Sequence, residues 1–215
     1  MLAKRTAFLA VSLLLASLPA WCGSIDFAGS GNGGIWSWNG TGPLTATSLG
    51  MNVVSGSDTY SVSDATEWFT SGAFQSGSGT NSDPWKFGTS APWSLVITGC
   101  VPPAASCTPV TLFYGQFDRP GETATQDGGE ISFASADIYG WVDPQLLSYL
   151  GLSSSVTGVK GTFQITLMGS GPGSGMSADG NLSLTQCATP EPASLVLLGI
   201  GLLGLTLARR RKLSS

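Results

Sequence analysis

Apolar and polar residues alternate along much of this chain with a period of two, the spacing that sends successive side chains to opposite faces of a strand. In the run Thr162, Phe163, Gln164, Ile165, Thr166, Leu167, one face collects Phe163, Ile165 and Leu167. Residues 181–185 repeat the pattern with Leu182 and Leu184. The β-branched and aromatic runs 93–98 and 110–114 read as strands, and more are expected at 35–38, 45–54, 65–69 and 130–138. Clusters of Gly, Ser, Asn and Asp at 77–83 and 169–175 separate them. A single short helix is expected, with Asp143 as N-cap, Pro144 at the first helical position, turns through Leu150, and Gly151 as the stop. Roughly seven to nine short strands, with no βα unit and no long internal repeat, imply an all-β fold. The expected architecture is a single β-sandwich or jelly-roll-like domain over residues 24–188.

Two stretches break the alternation. Residues 1–23 open with Lys4 and Arg5, continue with the apolar run 7–15, and reach Leu18-Pro19-Ala20, the layout of a secretory signal peptide. The apolar run is too short for the roughly 20 residues of a membrane span. Trp21 precedes Cys22 where a lipidated cysteine needs a small residue, so a lipoprotein is not expected. At the far end, Thr189 and Pro190-Glu191-Pro192 lead into the apolar segment 193–208, followed by Arg209, Arg210, Arg211 and Lys212. Those 16 apolar residues would make a helix of about 24 Å. Arginines that snorkel could extend it towards the thickness of a bilayer. A basic cluster stays on the cytoplasmic side, so the preceding chain would face outward.

The order Pro-Glu-Pro, short apolar helix and terminal basic cluster, behind a signal peptide, resembles the PEP-CTERM sorting signal over residues 189–212. The resemblance implies a substrate of exosortase, a membrane-embedded cysteine transpeptidase of Gram-negative bacteria. It makes Pro190, Glu191 and Pro192 the recognition motif, and Arg209, Arg210, Arg211 and Lys212 the stop-transfer cluster. It further implies transient anchoring in the inner membrane, processing near the motif, and delivery to the cell surface or the extracellular polysaccharide. Thr189 stands where many such sequences carry a branched aliphatic residue.

Charge narrows the partners. Residues 24–188 hold three cations (Lys86, Arg119 and Lys160) against twelve carboxylates, a net −9 where the whole chain carries −4. Such a surface repels phosphate backbones, so nucleic acid is not an expected partner. The chain contains no histidine, which removes Ser-His-Asp and Cys-His catalysis and histidine-ligated zinc. Carboxylate pairs such as Glu67 with Asp64, or Glu122 with Glu130, have the chemistry of a two-acid hydrolase, but no local motif singles one out. No catalytic residue, metal ligand or cofactor is assigned. Residues 126–130 lack the spaced aspartates of a calcium loop and read as a solvated turn. The Gly-rich 29–34 stretch has no following lysine and is not a phosphate loop.

Cys100 and Cys107 flank a loop bent by Pro102 and Pro103, and export favours a local disulfide between them. Cys187 depends on the leader: cleavage after Ala20 leaves Cys22 as a partner, and cleavage after Cys22 leaves none. Trp36 and Trp38, two apart on a strand, share a face. Exposed, they would form a stacking platform for sugar rings; buried, they are core, which is what a half-buried strand favours. The expectation is therefore a non-enzymatic exported protein of the cell surface, associated with exopolysaccharide. The alternative is a secreted glycan-binding module or a carboxylate-based glycan hydrolase on a β-sandwich.

Overall fold

The alternating segments do become strands. The computed structural model describes residues 22–29, 33–101, 107–117, 122–154 and 158–187. In chain order these hold β1 (Cys22–Gly29), β2 (Gly34–Trp38), β3 (Pro43–Ser55), β4 (Asp58–Ser76), β5 (Trp85–Phe87) and β6 (Leu95–Gly99). They continue with β7 (Val110–Phe117), β8 (Glu122–Asp127), β9 (Glu130–Val142), helix α1 (Pro144–Tyr149), β10 (Gly158–Met168) and β11 (Gly173–Cys187). Asp143 caps α1 as expected, its Oδ1 accepting from the N–H groups of Gln145 and Leu146 at 2.8 and 3.1 Å. The inward sets Phe163, Ile165, Leu167 and Leu182, Leu184 are all buried.

Three features differ from the expectation. β4 and β9 run for 19 and 13 residues, well beyond 65–69 and 130–138. β6 starts at Leu95 because Trp93 takes a positive φ that a strand cannot hold. β1, β5 and β8 had no clear signal: β5 is three residues long, and the inward positions of β8 are Glu122 and Ala124, which do not read as a hydrophobic face.

All eleven strands belong to one antiparallel sheet whose pairings close on themselves. The long strands make this possible by changing partner along their length. β4 pairs with β6 over 66–69 and with β5 at 74 and 76. β9 pairs with β8 over 130–134 and with β7 over 138–142. Bulges lie near these exchanges: two residues of β9 separate Ser135 from Ile138, and Gly50 and Asp64, both at positive φ, break the β3–β4 ladder. Such bulges bend a strand and let it leave one neighbour for another. A path through paired residues, with the hydrogen bond from the Ile35 N–H to Thr47 Oγ1 as its step from β2 to β3, leaves β10 at Met168, crosses Ile35, Trp68 and Tyr114, and returns to β10 at Gly158, ten residues from its start. A stagger of that kind tilts the strands and closes the sheet.

The interior is aromatic. Phe69 meets Phe133, Phe163 and Phe117 at centroid distances of 4.7, 5.3 and 6.4 Å. Towards β5, Trp38 contacts Trp85, Phe74 and Phe87 at 4.9, 5.5 and 5.6 Å. Residues 23–186 form one compact unit around this core. Of the leader assigned to 1–23, only residues 22 and 23 are described, as the start of β1; the sorting motif, the segment 193–208 and the basic cluster lie outside the described residues. Among the described residues no helix is long and apolar enough to cross a membrane.

Candidate functional site

Trp36 and Trp38 do share a face, and it is the inner one: they are 2 % and 4 % exposed. The indole N–H of Trp36 donates to the Met168 carbonyl at 2.9 Å, and that of Trp38 to the Gly42 carbonyl at 3.0 Å. Their rings are core and offer no face to a ligand. The platform reading at these two residues is corrected on that ground.

An aromatic surface exists elsewhere. Trp68, Val96, Tyr114 and Trp141 are successive partners across β4, β6, β7 and β9, and all lie on the outer side of the sheet. Tyr114 and Trp141 stack at 5.2 Å with 25° between planes. Trp93, from the turn before β6, lies on Tyr114 at 3.9 Å and 23°, and is itself 54 % exposed. On β10 the partner of Trp141 is Gly158, which places no side chain against the row. Exposed Tyr139, two residues before Trp141, reaches towards Gly158 with its hydroxyl.

The conformation of Trp93 is costly. Its φ is +66°, a region in which a bulky residue is a genuine outlier, and such strain costs of order 1–3 kcal/mol. Offset stacking returns only about 0.5–1.5 kcal/mol. The turn is held from behind by Ser94. Its hydroxyl receives a hydrogen bond from Ser90 Oγ at 2.9 Å and one from the Phe117 N–H at 3.3 Å, while its carbonyl accepts from the Thr70 N–H at 2.7 Å. A strained, well-anchored aromatic that presents its ring outward is the pattern expected of a binding position.

The carboxylates do not converge. Glu67 is 1 % exposed and neither oxygen has a hydrogen-bond partner; burial pushes its pKa up to about 8. Glu122 is also buried, with Oε2 accepting from the Gly72 N–H at 3.0 Å and Oε1 unpartnered. Burial raises it to about 7, against the opposing pulls of that N–H and of the Ser90 hydroxyl. Asp64 and Glu130, their sequence-level companions, are exposed. A carboxylate sealed inside a sheet cannot reach a glycosidic oxygen, so neither pair has the geometry of a two-acid site. Residues 127–130 form the exposed β8–β9 turn, and among the described residues no group of three or more His, Cys, Asp or Glu side chains could hold a metal.

Cys100 and Cys107 are disulfide-bonded with a Cα separation of 5.8 Å, joining the end of β6 to the lead-in of β7. Sequence reasoning missed the outer aromatic row, although part of it was legible. In β9, Tyr139 and Trp141 stand out of phase with the inward Ile138 and Val142.

The folded unit is thus an all-β domain with an exposed aromatic row and sealed acids. Beyond it, residues 188–212 match the PEP-CTERM protein-sorting motif. That motif marks the chain as an exosortase-targeted protein, exported as a membrane-anchored precursor and destined for the cell surface or exterior. No curated protein and no solved structure matches it.

Proposed function

We propose that this is a non-enzymatic protein of the cell surface or extracellular matrix that associates with exopolysaccharide through its folded domain. The leader assigned to 1–23 acts as a cleaved signal peptide, with a cut after Ala20 keeping Cys22 and Gly23 as the start of β1, and 193–208 act as a temporary inner-membrane helix. Exosortase recognises Pro190, Glu191 and Pro192, and Arg209, Arg210, Arg211 and Lys212 stop transfer. The closed sheet serves as the β-sandwich-like domain expected from the sequence and presents a ligand surface on its outer side.

The observation that carries the domain's role is the strained, half-exposed Trp93 stacked on Tyr114, which in turn stacks on Trp141. Flat aromatic faces bind sugar rings through C–H contacts while the hydroxyls remain solvated. The sealed state of Glu67 and Glu122 supports binding without hydrolysis.

Two measurements test this reading. Intact mass of the exported protein should show loss of the leader and of the segment after the motif; a mature species that still holds residues 209–212 in exosortase-positive cells refutes the processing. In native gels cast with soluble polysaccharide, the full chain should be retarded and Trp93→Ala should not. Equal mobility of the two in every polymer refutes the aromatic site.

A further inference from the structure

A shallow depression of about 530 Å³ lies on the outer face where β1, β11, β10 and β9 run side by side. Its outward-facing walls include Asp26, Ala28, Ala134, Thr162, Gln164, Asn181 and Ser183. Gln164 sits between Asn181 and Ala134 in the sheet register, and Thr162 beside Ser183. Each of these β10 and β11 side chains is exposed, and none makes a hydrogen bond to another described residue. The site therefore offers two planar amides, each with a donor and an acceptor side, and two hydroxyls, all uncommitted.

The strand β10 links this depression to the aromatic row. Its outward positions are Gly158, Lys160, Thr162 and Gln164, and Gly158 is the register partner of Trp141. Six residues of strand separate Gly158 from Gln164, roughly 20 Å at 3.3–3.4 Å per residue. Between the two ends, exposed Tyr139 and Lys160 are partners across β9 and β10. Stack and depression are thus the two ends of one continuous outer face.

We propose, building on the glycan-binding reading above, that this face is one extended site for a neutral polysaccharide chain: sugar rings stack at the aromatic row, and hydroxyls several sugars away are read by Gln164, Asn181, Thr162 and Ser183. Length argues for a chain, because a single sugar cannot span roughly 20 Å. The chemistry of the walls argues for hydroxyls. Amides and alcohols exchange hydrogen bonds with them at no charge cost, and the two aromatic rings at the depression, Phe27 and Phe163, are buried in the core, so it offers no exposed aromatic anchor of the kind a protein interface uses. Charge argues for neutrality, since the only acidic or basic wall residue is Asp26 and residues 24–188 carry net −9.

The test uses the full chain, its Gln164→Ala/Asn181→Ala double variant and Trp93→Ala. The probes are dextran, glucomannan and galactomannan as neutral polymers, alginate as an anionic one, and fragments two and eight sugars long cut from whichever polymer binds. The proposal expects the double variant to bind the octamer about tenfold more weakly than the parent and the dimer equally well, with Trp93→Ala weakened for both. Because all the altered side chains are solvent-facing, circular dichroism should be unchanged in each variant. If Trp93→Ala loses binding while the double variant holds the octamer at parental strength, the aromatic site stands and the extended one is refuted. If alginate binds more tightly than every neutral polymer, the neutral class is wrong. If the parent binds no glycan, both readings fall together.

Discussion

The carboxylate of Glu67 on β4 fills the space that a side chain at Gly180 on β11 would need: a Cβ built on Gly180 collides with Oε2 and lies 2.8 Å from Cδ. The two strands are not neighbours in the sheet, so this contact crosses the interior. Gly180 follows the bulge in β11 and lets the glutamate lie against bare backbone.

That relationship predicts a coupled pair. Gly180→Ala should destabilise the protein by about 1–3 kcal/mol, the usual cost of overpacking. In a Glu67→Ala background the same substitution should cost far less, because the colliding atoms are gone. A denaturant double-mutant cycle measures the difference; additive effects would mean the two residues do not share this space.

Stability should depend on pH through the same side chain. Unfolded, Glu67 titrates near its ordinary 4.5; folded, burial holds the proton to about pH 8. Between those values the native state binds the extra proton, so stability is greatest at the acidic end and falls as pH rises towards 8. Glu122 adds a smaller effect of the same sign, ending near pH 7. The slope for each group is at most about 1.4 kcal/mol per pH unit. Melting curves at pH 5 and pH 8 should show the fall in the parent and a flatter profile in Glu67→Gln. A parent more stable at pH 8 than at pH 5 would contradict the assignment.

Trp93 should separate stability from binding. Trp93→Gly removes a stacked ring worth about 0.5–1.5 kcal/mol and releases backbone strain of about 1–3 kcal/mol at φ +66°. The expected result is an unchanged or higher Tm together with lost retardation in polysaccharide gels. A marked drop in Tm would make the indole a structural element instead.

The bond between Cys100 and Cys107 closes a loop with a sequence separation of 7, so it removes little chain entropy, about 2–3 kcal/mol before any strain. Replacing both cysteines by serine should lower Tm by several degrees while β content and export are kept. Buried Cys100 leaves a hydroxyl in the core in that variant, so an alanine pair is the cleaner control. Loss of the fold in both would show that the bond does more than pin the β6–β7 connection.

Local chemistry wrote several elements directly into the chain: the alternating faces of β10 and β11, the Asp143 cap before Pro144, the disulfide loop, and the terminal sorting motif matched at 188–212. Each depends on residues a few positions apart, so a linear reading suffices. A period of two also says that Trp36 and Trp38 share a face, and that Glu67 is in phase with Ala65 and Phe69. It does not say which face is inside. That was decided by contacts between distant parts of the chain: Trp36 is buried because its N–H meets Met168, 132 residues away, and Glu67 because Gly180 leaves room for it. Likewise, Trp93, Tyr114 and Trp141 sit 21 and 27 residues apart in sequence, and only the register of β7 against β9 and the turn before β6 stacks them into one surface. Sequence sets which side chains travel together; closure of the sheet sets whether they face the core or the ligand, because burial is a property of the partner strand and not of the strand alone.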